Sequence, residues 1–269
     1  MKTHHLLSIF FILCSFFSSC DKYELIPIDN NDSSKNNPIK PPAQFLNPNQ
    51  FLNPNIKYGV MSDIDGNNYA TVTIGTQTWM AQNLRVTRYR NGKIIPKVID
   101  SSWDNLTSGA TSTNLNTNNQ DTIAMYGRLY NWYAATDTNF IAPVGWHVPS
   151  DQEWQILEDY VKSNLSYSSN IAKALASVDN WVSNDTPGNV GNSANLNNSS
   201  GFSAIPGGCY GKYHSVVYPL GYGGGWWSST SFPNGNSNAW DRELFYNGRY
   251  FTTLSNLKSL GLSIRCIKD

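Results

Sequence analysis

The sequence predicts a single α+β domain with antiparallel sheets, one main amphipathic helix, a shorter second helix and long irregular loops. Three observations carry this. Ser150 and Glu153 stand three apart behind Pro149, the spacing of a capping box. Trp154, Leu157 and Val161 follow at helical period, with Ile156 and Tyr160 widening the apolar stripe. From Gly201 onward, short extended runs alternate with glycine-rich turns, as in an antiparallel sheet. Near the other end, Asp65-Gly66-Asn67 and Gly75-Thr76 divide residues 58–84 into three runs, which makes a three-stranded meander.

Residues 1–20 read as a targeting segment, with Lys2 in a polar start and an apolar run over 6–17 too short to span a bilayer. The small residues before Cys20 resemble the lipobox of bacterial lipoproteins, so Cys20 is expected to carry the lipid that holds the chain at a membrane. Ordinary secretory cleavage is the alternative. The expected location is the outer membrane or cell surface of a Gram-negative bacterium. Residues 21–57 read as a disordered tether, poor in apolar residues and containing the hexapeptide Gln-Phe-Leu-Asn-Pro-Asn twice, at 44–49 and 50–55. The domain is expected over 58–269.

Within the domain, residues 100–122 are rich in Asn, Ser and Thr and read as a long surface loop. Residues 126–135 are aromatic on nearly every face, which implies burial on both sides or a packed turn. A second helix is expected over 170–178 and another loop over 180–200. Strands follow at 202–206, 226–230, 239–246, 250–254 and 263–267, with turns at Gly207-Gly208, Gly223-Gly224-Gly225 and Asn247-Gly248.

Nineteen basic and nineteen acidic residues balance. With no basic patch, nucleic acid is not an expected partner. Charged residues make up 14% and aromatics 13%, so this surface meets water through amides, hydroxyls and tyrosines more than through charges. Beyond residue 20 the cysteines are Cys209 and Cys266, and an oxidising compartment leaves either one disulfide or two separately buried thiols. Only His147 and His214 remain as histidines. That is too few for a His-rich metal site, and neither a metal nor another cofactor is expected. His147 is next to a proline and a capping box and reads, with Ser150 and Glu153, as a structural junction. No G-x-S-x-G elbow occurs, and neither glycine run has the helix and Lys of a phosphate loop. Asp63, Asp65 and Asn67 lack the spacing of a calcium loop and read as a turn.

Five segments together resemble the Fibrobacter succinogenes major paralogous domain of bacterial surface lipoproteins. They are residues 63–67 leading to 77–84, 126–135, 145–154, 201–208 with 226–230, and 263–269. The resemblance implies a C-type-lectin-like fold and a role in surface adhesion or binding. Cys209 stands where that family would have Tyr. The calcium-dependent sugar code of C-type lectins is not matched, because Arg242 follows Trp240-Asp241. Through formylglycine-generating domains the resemblance also implies a remote enzymatic alternative, a copper-binding pair of Cys209 and Cys266.

The expected function is a non-catalytic, lipid-anchored binding module for a glycan or a surface protein. The alternative is a structural subunit of a surface assembly. Tyr210, Tyr213, Tyr218, Tyr222, Trp226 and Trp227 are the candidate ligand-binding residues, since aromatic faces suit sugars and protein hot spots. The tyrosines are expected to make the contact, while Trp226 and Trp227 point to opposite faces of a strand, which puts at least one of them in the core. Asp121-Thr122-Ile123 matches a bacterial O-glycosylation acceptor, with Thr122 as the modified residue.

Overall fold

The computed structural model describes residues 49–164, 170–211, 219–233 and 237–269. The expected leader, Cys20 and most of the expected tether lie outside the described residues. Among the described residues no helix is long and apolar enough to cross a membrane.

The meander forms from β1 (Gly59–Ser62), β2 (Asn68–Ile74) and β3 (Gln77–Met80), paired antiparallel in register. Asp63 makes the first turn. Its Oδ1 accepts the backbone N–H groups of Asp65 and Asn67, each at 2.9 Å, and Gly66 adopts φ +80°, which a side chain would resist.

Residues 100–122 are not an open loop. Trp103 is buried in a 3-10 turn (Ser101–Asn105), donates Nε1–H to the Ser259 carbonyl at 2.6 Å, and packs edge-on to Tyr210. The short β4 (Thr111–Ser112) pairs with β5 (Leu129–Tyr130), and α1 (Gln120–Tyr126) separates them. The aromatic stretch after α1 supplies β5 and α2 (Trp132–Ala135). One lone Trp in a polar segment outweighs composition here, because burying that ring fixes the backbone around it.

β6 (Trp146–His147) leads into α3 (Asp151–Asn164), which buries Trp154, Leu157 and Val161. Ile156 and Tyr160 face outward instead of widening the stripe. The second helix, α4 (Ile171–Leu175), is shorter than expected. A second sheet follows with β7 (Gly223–Ser231), β8 (Asn238–Phe245) and β9 (Thr252–Leu257), antiparallel in that order. Gly223-Gly224-Gly225 is the start of β7 and not a turn. A Cβ on Gly224 would lie 2.9 Å from the Ile205 carbonyl, so glycine here allows two backbones to meet.

The expected strand at 202–206 is absent as a strand. The Phe202 and Ser203 carbonyls turn toward the Arg265 guanidinium, and Ser203 sits at φ +57°. Backbone turned out of the extended region at Ser203 cannot continue a ladder, and the guanidinium satisfies the carbonyls that this leaves without a strand partner.

The two ends of the domain meet. The two-residue β10 (Ile267–Lys268) inserts between β3 and β6 and completes the five-stranded sheet β1-β2-β3-β10-β6. Just before it, the chain bridges to Tyr130, Tyr210 and Trp226 through Leu262, Gly261 and Ser263. β7 therefore lies between two cores. Trp227 packs with Leu84, Tyr130 and Leu262, while Trp226 packs with Trp79, Trp154 and Phe202. Adjacent strand residues point to opposite faces, and here both faces are interior.

The described part of the expected tether is also packed. Phe51 is fully buried against Met125 and Ile205, and Asn53 Nδ2 donates to the Asn198 carbonyl at 2.9 Å. The second hexapeptide copy thus belongs to the domain, because its Phe carries enough apolar area to seat an otherwise polar strand of chain.

Candidate ligand-binding site

The residues expected to contact a ligand are mostly interior. Trp226 and Trp227 are both 0% exposed. Their indole N–H groups are spent inside, on Asn83 Oδ1 at 2.9 Å and the Tyr130 carbonyl at 2.8 Å. Tyr210 is 3% exposed, and its ring meets Trp103 at 4.9 Å. Tyr222 alone among the described members keeps a face to solvent, at 38%, with Tyr246 edge-on at 5.2 Å. Tyr213 and Tyr218 lie outside the described residues. Glycine-flanked aromatics served as the sequence signal, but the glycines allow close packing, which buries the rings they flank.

Cys209 and Cys266 are two buried thiols in one hydrophobic cluster and do not form a disulfide. Burial pushes the Cys266 thiol far above its ordinary range, which keeps it protonated and inert. Thr122 sits in the first turn of α1, not in a loop. Asn119 Oδ1 caps that turn by accepting the Thr122 N–H at 2.9 Å and stands 3.3 Å from the Thr122 hydroxyl.

The junction at the start of α3 is closely knit. Glu153 Oε2 accepts both the N–H and the hydroxyl of Ser150 at 2.7 Å, and Ser150 Oγ accepts the Glu153 N–H at 3.3 Å. His147 bridges two carboxylates, with Nε2 2.8 Å from Glu153 Oε1 and Nδ1 2.7 Å from Asp269 Oδ1. Partial burial works against charge on the ring, but the two carboxylates outweigh it and raise its pKa. Burial also works against charge on Glu153, and the Ser150 and His147 contacts outweigh it and lower that pKa. The two ring nitrogens face opposite carboxylates, so the trio does not converge on a point where an ion or substrate atom could sit. Among the described residues no group of His, Cys, Asp and Glu is placed to hold a metal.

The site with the most unspent chemistry is an open cleft of about 800 Å³ under the β1–β2 turn, walled by residues 85–94 and by α1. Asp65 enters from the turn. Its Oδ2 accepts the Thr87 N–H at 2.5 Å and the Thr87 hydroxyl at 2.7 Å, and its Oδ1 accepts Arg88 Nε at 2.6 Å. Burial alone would raise the Asp65 pKa, but these bonds outweigh it and lower it. Arg85 lies over the Tyr69 ring at 4.4 Å and donates Nη2 to the Asn68 carbonyl at 2.8 Å. Its Nη1 is buried with no hydrogen-bond partner among the described residues. Arg128 donates Nε to the Arg85 carbonyl at 3.2 Å. Asn67, Gln120, Ile94, Ile123 and Ala124 complete the lining. This site escaped sequence reading because its arginines are scattered from 85 to 128 with no spacing rule. The only local signal is the Arg85/Arg88 pair beside the acidic turn.

The family model of the Fibrobacter succinogenes major domain matches residues 72–268. Searches of curated proteins and of solved structures returned no match. The matched span covers β3 to β10, all four α-helices among the described residues, and the three cleft arginines, but not β1, the first half of β2 or the turn that carries Asp65. This chain belongs to the Fibrobacter succinogenes major domain family.

Proposed function

We propose that this protein is a lipid-anchored, non-catalytic binding module of the cell surface, taking a glycan or a partner protein at the cleft under the β1–β2 turn. The cleft carries the reading. It is open, its volume of about 800 Å³ suits a small ligand or the end of a longer one, and framework bonds hold its polar side chains in place before any ligand arrives. Its one carboxylate, Asp65, is held low by Thr87 and Arg88 and is a poor base at neutral pH. The buried Cys266 thiol likewise suits packing better than redox work. The leader ending at Cys20 supports anchoring at the outer membrane. The C-type-lectin-like relation is part of the same proposal, supported by the loop-rich α+β build.

The test uses the full chain in a Gram-negative host. Cys20→Ala should move the protein from the membrane to the soluble fraction, and retention there would remove the anchor. Arrays of glycans and of surface proteins should yield at least one saturable ligand that is released chemically unchanged. Empty arrays together with concentration-dependent self-assembly would transfer the protein to the class of structural subunits.

A further inference from the structure

Three arginines, Arg85, Arg88 and Arg128, line a cleft whose lining holds one carboxylate. The whole chain is charge-balanced, so this concentration of positive charge is local and not a share of a general excess. Asp65 is fully subscribed, with both oxygens taken by Thr87 and Arg88. A guanidinium offers five donors in a fixed fork. Arg128 is held through Nε, Arg88 through Nε and Nη2, and Arg85 through Nη2.

We infer that the cleft binds an acidic saccharide, whose carboxylate or sulfate sits between Arg88 and Arg128. This rests on the binding reading above and names its ligand class. Guanidinium forks match the paired oxygens of these anions. Asn67 and Gln120 supply amides that exchange hydrogen bonds with sugar hydroxyls, and Ile94 and Ile123 give the C–H face of a ring an apolar wall. A stable protein contact needs a wider face, about 800 Å² per partner, so the cleft takes the end of a glycan better than the face of a protein.

Titration calorimetry on the full chain in detergent tests this with five probes: oligogalacturonate, its neutral methyl ester, a heparin-derived oligosaccharide, a poly-glutamate peptide and inorganic sulfate. Carboxylated or sulfated saccharide should bind, and the two probes tell which anion is preferred. The ester should bind at least about tenfold more weakly, as should Arg88→Gln or Arg128→Gln with the acid form. Arg128→Lys, which keeps charge but loses the fork, should fall between, and unchanged thermal unfolding verifies that each variant is folded. Affinity should also drop as salt rises. Equal binding of acid and ester overturns the inference, as does tighter binding of poly-glutamate, or of sulfate with no gain from the sugar. If the arrays return only neutral ligands, the binding function stands and this ligand class fails. If neither probes nor arrays bind, the binding function itself fails.

Discussion

At Arg265 a guanidinium is 0% exposed. It donates to Asn83 Oδ1 at 3.0 Å and to the carbonyls of Phe202 and Ser203, and it lies 4.5 Å over the Phe202 ring. Burial opposes its charge and lowers its pKa, but the planar fork satisfies backbone that would otherwise be stranded. Arg265→Met should therefore cost about 3 kcal/mol or more in urea unfolding, because it leaves the Asn83 oxygen and two buried carbonyls without their donor, at about 1–3 kcal/mol each. Arg265→Lys should lose most of the same amount, and a Lys variant as stable as wild type would refute the role of the fork. His147 gives a pH-dependent counterpart. Its folded pKa is raised above 6.5, so its contribution is full below that value and fades as pH rises through the raised one. The Glu153 pKa is lowered below 4.5, so its contribution is present above 4.5 and lost as pH falls through the lowered one. Both overlap between 4.5 and 6.5. His147→Gln should thus lose about 0.5 kcal/mol near pH 5.5, after discounting for a half-exposed pair, and less at about pH 9. Equal losses at both pH values would show that the ring acts without its charge.

Among the elements, α3 was legible because its signals are local: a capping box at its first turn and three apolar residues on one face. β1 to β3 were legible for the same reason, since turn chemistry and alternation sit side by side in sequence. β6 was not, and β10 was expected as a longer strand over 263–267 of which only Ile267 pairs in it, because two-residue strands have no period of their own and exist only where distant chain pairs with them. The burial of Arg242 belongs to the same class. It joins β8 to α3 through Asp151 Oδ1 at 2.7 Å and Glu158 Oε1 at 2.8 Å, more than eighty residues away in sequence. The aromatic face was misread because a strand between two cores buries both of its sides, whereas a one-sided sheet would have exposed one tryptophan.

For the whole molecule, the boundary of the folded unit moves to include the second hexapeptide. Phe51→Ala should destabilise the domain by about 3 kcal/mol or more, as for truncation of a fully buried Phe. A loss under about 1 kcal/mol in denaturant titration would return the hexapeptide to the tether. The seat of Phe51 also decides how the fold meets mechanical load. β1 is an edge strand, joined to the sheet by β2 alone, and a pull entering at residue 57 would peel it one hydrogen bond at a time, the weakest way to stress a sheet. A pull from the N-terminal side reaches Phe51 and the Asn53–Asn198 bond first. The hexapeptide works as the strain relief on a cable, taking tension at a buried plug so that none arrives at the seam.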